Sequence, residues 1–94
     1  MKKLRVGFAG YGVVGQLRRK YVDKTSIFKT IAVSDRKFEE SALAESGIKS
    51  FVDYEELLKE ELDVLFVCLS NDVASAATIA GLDRGLHVLS LIHI

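Results

Sequence analysis

Hydrophobic positions along the chain alternate between short apolar runs and stretches in which apolar residues recur every three or four positions. Residues 4–9 form a short apolar run that stops at Gly10, which predicts a strand. After a glycine turn at residues 10–15, Val13, Val14, Leu17 and Tyr21 recur at helical spacing. Gln16, Arg18, Arg19 and Lys20 lie between them, so an amphipathic helix packed on one side is expected. Thr30-Ile31-Ala32-Val33 predicts a second strand, with Asp35 just beyond it. Residues 38–46 read as a helix stopped by Gly47, and residues 48–52 as a third strand.

Asp53-Tyr54-Glu55-Glu56 has the form of a capping box, opening a helix to about Glu61 that buries Leu57 and Leu58. Residues 64–69 are apolar without polar alternation, the pattern of a strand buried on both faces of a parallel sheet. Asn71 or Asp72 can cap the next helix, whose apolar stripe is Val73, Ala76, Ala77 and Ala80. Gly85 ends it, and residues 86–89 predict a fifth strand. Strand and helix thus alternate with short connections, which implies parallel strands joined by right-handed crossovers. The expected fold class is α/β, a doubly wound parallel sheet of about five strands.

Length and charge narrow the picture. The chain has 94 residues, enough for one small domain with a modest core. Thirteen basic residues balance thirteen acidic ones, which gives no electrostatic argument for nucleic acid or an anionic membrane as partner. The cluster Arg18-Arg19-Lys20 reads as a solvated helix face. Cys68 is the one cysteine, so no internal disulfide is possible, and its apolar neighbours mark it as a small core residue. His87 and His93 are too few for a metal site. No signal-peptide core or membrane-length apolar stretch is present, and a cytoplasmic protein is expected.

The chemistry is concentrated in the first turn. Gly10-Tyr11-Gly12-Val13-Val14-Gly15 follows a strand and opens a helix, the context in which a G-x-G-x-x-G turn binds the pyrophosphate of a dinucleotide. Gly10 allows the tight turn, Gly12 lets the backbone approach the pyrophosphate, and Gly15 lets the helix pack close to the strand. The helix N-terminus offers N–H groups and a partial positive charge to the phosphates. Asp35 lies 20 residues past Gly15, where the fingerprint places an acid that accepts hydrogen bonds from the adenosine ribose. A carboxylate there repels a 2′-phosphate, so NAD is the expected cofactor. Arg36 keeps NADP open, because it can stack on adenine or pair with a 2′-phosphate if Asp35 turns away.

Three further segments extend the pattern: residues 51–58 (F-V-D-Y-E-E-L-L), 62–67 (L-D-V-L-F-V) and 81–88 (G-L-D-R-G-L-H-V). Together with residues 6–15 they resemble the N-terminal Rossmann domain of the Gfo/Idh/MocA family, over about residues 4–88. The resemblance implies NAD(P)-dependent hydride transfer at a sugar, polyol or related carbon, a separate C-terminal substrate domain, and homo-oligomers of the full-length protein. It also implies that Ser70 and Asn71 border the nicotinamide end, as the family's T-P-N loop does, with Ser70 in place of the proline. The histidine often found a few residues later is absent, and His87 matches a family histidine that is read as structural.

The family continues into a strand ending in E-K-P, whose lysine assists proton transfer, whereas this sequence has no lysine after Lys59. Residues 89–94, L-S-L-I-H-I, read as the translation of a transposon-end adapter, with a true terminal strand as the rival reading because the segment is apolar and β-prone. The expected organisation is an NAD(P)-binding domain at residues 1–88, a non-native tail at 89–94, and an absent substrate domain. The expected function is the nucleotide-binding part of an oxidoreductase, inactive by itself for want of a proton-shuttling group. The alternative is a stand-alone nucleotide-binding or redox-sensing module. An S-adenosylmethionine-dependent methyltransferase is disfavoured by the complete glycine spacing and the later segments.

Overall fold

The computed structural model describes residues 3–35, 42, 43, 48–69 and 71–90, excluding the side chains of residues 13, 14, 42, 43, 71 and 72. The first strand, β1 (Leu4–Ala9), leads through the glycine turn into α1 (Val13–Lys24) and returns as β2 (Phe28–Ser34). A two-residue strand, β3 (Ala42–Leu43), precedes β4 (Lys49–Phe51) and the short helix α2 (Tyr54–Leu57). Then come β5 (Val64–Val67), α3 (Asn71–Asp83) and β6 (His87–Ser90). The sheet order is β3-β4-β2-β1-β5-β6. β4, β2, β1, β5 and β6 pair in parallel, and β3 adds a short antiparallel edge to β4. The five parallel strands form the expected Rossmann-like sheet, built outward in both directions from β1.

The alternation of side chains along β1 and β5 divides the core into two layers. Val6, Phe8 and Val64 face Val22 of α1, together with Val33 and Ile48. Phe8 and Phe66 stack there with ring centroids 5.0 Å apart. On the other face Ala9, Ala32, Leu65 and Val67 pack with Leu57 and Leu58 and with Ala74 and Ala77 of α3. Among the described residues, one helix covers one face and two cover the other, which is the doubly wound arrangement.

Several local expectations are corrected. Within residues 38–46, Ala42 and Leu43 are extended and pair with Ser50 and Lys49, not helical; the remainder of that stretch lies outside the described residues. A free strand edge on β4 supplies ladder partners that local helix preference does not offer. α1 is helical as expected, but its inward line is Gly15, Arg19 and Val22, while Leu17 and Tyr21 are 50% and 61% exposed. The close approach at Gly15 rolls the helix so that its outer face carries those two side chains. α2 ends at Leu57, four residues short of Glu61, because Lys59 and Glu60 donate to Glu56 and Leu57 in tighter turns. Its start is as read: the Asp53 carboxylate accepts from the Glu56 N–H at 3.0 Å, and Leu57 and Leu58 are buried. In α3 the buried line is Ala74, Ala77 and Gly81, with Ala76 exposed. α3 closes with the Leu86 and Gly85 N–H groups donating to the Gly81 and Leu82 carbonyls, the paired bonds of a Schellman motif.

Among the described residues, no helix is long and apolar enough to cross a membrane.

Candidate functional site

The carboxyl ends of β1, β2 and β5 meet at the glycine turn. The Gly10 N–H donates to the Ser34 carbonyl at 2.8 Å, and the Cys68 N–H donates to the Ala9 carbonyl at 2.8 Å. Gly10 adopts φ +96°, a region that side-chain-bearing residues rarely enter, and a Cβ there would lie 2.5 Å from the Cys68 carbonyl oxygen. Gly15 is required for a different reason. A Cβ on it would come within 2.4 Å of the Gly10 carbonyl oxygen, so the first turn of α1 can rest on the glycine turn only without a side chain.

Gly12 is unlike both. It caps α1 with extended backbone, and a Cβ built on it would have no neighbour within 4 Å. Among the described residues, nothing beyond its chain neighbours fills that space. Gly12 provides no side-chain cap, and α1 has no acid in its first turn. The open space beside an uncapped helix N-terminus fits the pyrophosphate of a dinucleotide.

Asp35, one residue beyond β2, is brought to this turn. Its Oδ2 accepts from the Tyr11 N–H at 2.9 Å, joining the two parts of the fingerprint 24 positions apart. Its own N–H donates to the Phe51 carbonyl at 3.0 Å, which ties it to the end of β4. A small cavity of about 100 Å³ opens alongside, with Ser34, Asp35, Asp53, Glu55 and Leu69 in its wall. Three acidic residues line it, and their negative charge disfavours a phosphate nearby.

Val13 and Val14 form the start of α1, and Asn71 begins α3. Arg36 and Ser70 lie outside the described residues. His87 opens β6 opposite Val64, at the sheet edge away from the glycine turn, and is exposed. The sequence reading missed the Tyr11 side chain and Arg19. The Arg19 Nη1 donates to the Tyr11 hydroxyl at 2.7 Å, so Arg19 is not simply part of a solvated face. Arg18 and Lys20 are exposed as expected.

Cys68 follows β5, half-buried against the Phe8–Phe66 layer. Burial pushes its thiol up to about 11, a shift that the charge of Arg18 only partly offsets. Against an ordinary value of 9.0, the folded chain at pH 8 should react with a disulfide reagent on the order of 100-fold slower than the urea-unfolded chain. The rate should climb steeply as pH approaches 11. Equal rates in the two states would show Cys68 to be an ordinary exposed thiol.

Solved structures of known proteins share this fold. The WlbA dehydrogenase of Bordetella pertussis, solved with NADH and UDP-GlcNAcA, superposes with a TM-score of 0.80 at 21% identity, over 95% of this chain and 28% of its own. An NAD-binding protein of Listeria innocua superposes with a TM-score of 0.79 at 28% identity, over 95% of this chain and 27% of its own. RSP, a Rex-family repressor solved with NAD⁺ and operator DNA, gives a TM-score of 0.77 at 18% identity, over 99% of this chain and 45% of its own. The chain thus spans less than half the length of each of these proteins. No curated protein matches it in sequence. The model of the Gfo/Idh/MocA oxidoreductase family, NAD-binding Rossmann fold, matches residues 4–90, and the chain belongs to that family.

Proposed function

We propose that this chain is the NAD-binding part of an oxidoreductase that moves a hydride to or from a sugar, polyol or related compound. The observation that carries the reading is the contact between the Asp35 carboxylate and the Tyr11 N–H at 2.9 Å, beside the open face of Gly12. It sets a fixed negative charge at one end of a turn whose other end offers helix N–H groups. Residues Gly10 to Gly15 then hold the pyrophosphate, with Val13 and Val14 contributing backbone N–H groups. Asp35 accepts from the adenosine ribose hydroxyls; by their sequence positions, Arg36 serves adenine stacking or pairing with a 2′-phosphate, and Ser70 and Asn71 serve the nicotinamide end. The nicotinamide, when bound, supplies the hydride acceptor or donor. Asp53 and Glu55, which line the same cavity as Asp35, add negative charge that supports NAD over NADP.

The sugar class is supported by the UDP-GlcNAcA named for WlbA. A substrate domain beyond these residues, homo-oligomers of the longer protein, a cytoplasmic location and the boundary at residue 88 belong to the same proposal. β6 reaches Ser90, and residues 91–94 lie outside the described ones. By itself the chain binds the dinucleotide without turnover. A second reading, a redox-sensing module without catalysis, is favoured by the likeness to RSP, which at 18% identity extends to the fold alone. Hydride transfer by the longer protein separates the two.

Asp35→Asn tests the assignment. It keeps an acceptor for the Tyr11 N–H and removes the charge. Calorimetric titration should show NADH binding weakened roughly 5- to 30-fold, with NADPH weakened far less. An unchanged ratio of the two affinities would remove Asp35 from cofactor selection.

A further inference from the structure

Tyr11 carries the only side chain of the segment Gly10-Tyr11-Gly12, and the fold grips it at several points. Its N–H donates to Asp35 Oδ2 at 2.9 Å, and its carbonyl accepts from Gln16 Nε2 at 3.3 Å. Its hydroxyl accepts from Arg19 Nη1 at 2.7 Å, and the Arg19 guanidinium carbon lies 5.9 Å from the ring centroid. Arg19 is itself anchored. Its Nε donates to Asp23 Oδ2 at 3.1 Å, one helical turn further on. Asp23 Oδ1 accepts from the Oγ1 of Thr30 at 2.8 Å, a residue buried in β2. A continuous line of hydrogen bonds therefore runs from the interior of β2, across α1, to the side chain in the middle of the glycine turn.

Such a line has a use at this place. Gly10 and Gly12 have no side chains to restrain the peptide units they join, and glycine is the residue with the widest backbone freedom. The orientation of the Tyr11–Gly12 peptide decides whether the open face of Gly12 and the first N–H groups of α1 point together toward one ligand. An exposed ion pair such as Arg19–Asp23 adds little stability alone. Coupled to the Tyr11 hydroxyl, it fixes a geometry.

We propose that Arg19 is a positioning residue for the dinucleotide, holding the glycine turn, through the Tyr11 hydroxyl, in the shape that receives the pyrophosphate. The proposal rests on the reading of the turn as a dinucleotide site. Arg19 touches Tyr11 and Asp23 and acts through Tyr11.

The test is a double-mutant cycle on NADH affinity in the 94-residue chain, with adenosine as a competing ligand that lacks phosphates. Arg19→Met and Tyr11→Phe should each weaken NADH binding about 3- to 10-fold, the range expected for one hydrogen bond. The double variant should bind no more weakly than Arg19→Met, because both changes break the same link. Arg19→Lys, which keeps a cationic donor, should recover most of the loss. Adenosine competition should be unchanged throughout, an outcome that general loosening of the domain would not give. Variants that bind NADH as tightly as the unaltered chain overturn the proposal, as do losses that multiply in the double variant or an equal loss for adenosine. An unaltered chain that binds no NADH overturns the dinucleotide reading, and this inference with it.

Discussion

Gly12→Ala is expected to leave the domain folded and to remove its affinity for the dinucleotide. The two effects separate because a Cβ at this position would touch none of the described residues beyond its chain neighbours within 4 Å, yet would stand where the backbone must approach the pyrophosphate. The backbone at Gly12, φ −81° and ψ −157°, is extended and open to alanine. Alanine is a poorer helix cap than glycine, but it also restricts the unfolded chain, so the net change in stability should be within about 1 kcal/mol. NADH affinity should fall by on the order of 100-fold, since a methyl group against the phosphates costs both contact and hydrogen bonds. Urea unfolding followed by circular dichroism, paired with calorimetric titration, gives both numbers. A variant that binds NADH normally would show that the open space is not the ligand's.

Gly15→Ala should do the reverse to the fold. Its Cβ would stand 2.4 Å from the Gly10 carbonyl oxygen, a backbone atom that cannot swing aside as a side-chain tip can. Either α1 lifts from the turn or the turn itself shifts. α1 also carries Val22 in the layer with Val6, Phe8 and Val33, so lifting the helix opens that layer. A loss of about 2–4 kcal/mol is expected, a large share of the stability of a domain this small. The urea midpoint should drop accordingly. A midpoint equal to that of the unaltered chain would mean that the close approach at Gly15 is not a constraint.

These contrasts were only partly legible in the sequence. Strand, turn and helix around Gly10 to Gly15 could be read because each signal is local: an apolar run, the glycine spacing, then helical periodicity. Asp35 could be read because the distance from turn to acid is set by one crossover helix and one strand. The cap at Asp53 is likewise written in four consecutive residues. What escaped depends on distant partners. Ala42 and Leu43 are extended because Ser50 and Lys49 lie beside them, which no local preference records. Leu17 and Tyr21 look like core by spacing, but the approach at Gly15 turns them outward. The Tyr11–Arg19 contact joins positions eight apart across a turn into a helix, a separation with no periodic signature. The division of labour among the three glycines was legible from their spacing; the contact atoms were not, for a Cβ on Gly10 would meet the Cys68 carbonyl and one on Gly15 the Gly10 carbonyl of the turn itself.

The central claim is that the open space at Gly12 and the Asp35 carboxylate together form an NAD site. Its most direct test is a calorimetric titration of the purified 94-residue chain with NADH and, separately, NADPH. Saturable one-to-one binding of NADH is expected, with NADPH weaker by roughly 10-fold or more through repulsion of its 2′-phosphate by Asp35. Absence of saturable NADH binding by the folded chain, or NADPH bound as tightly as NADH, would contradict it.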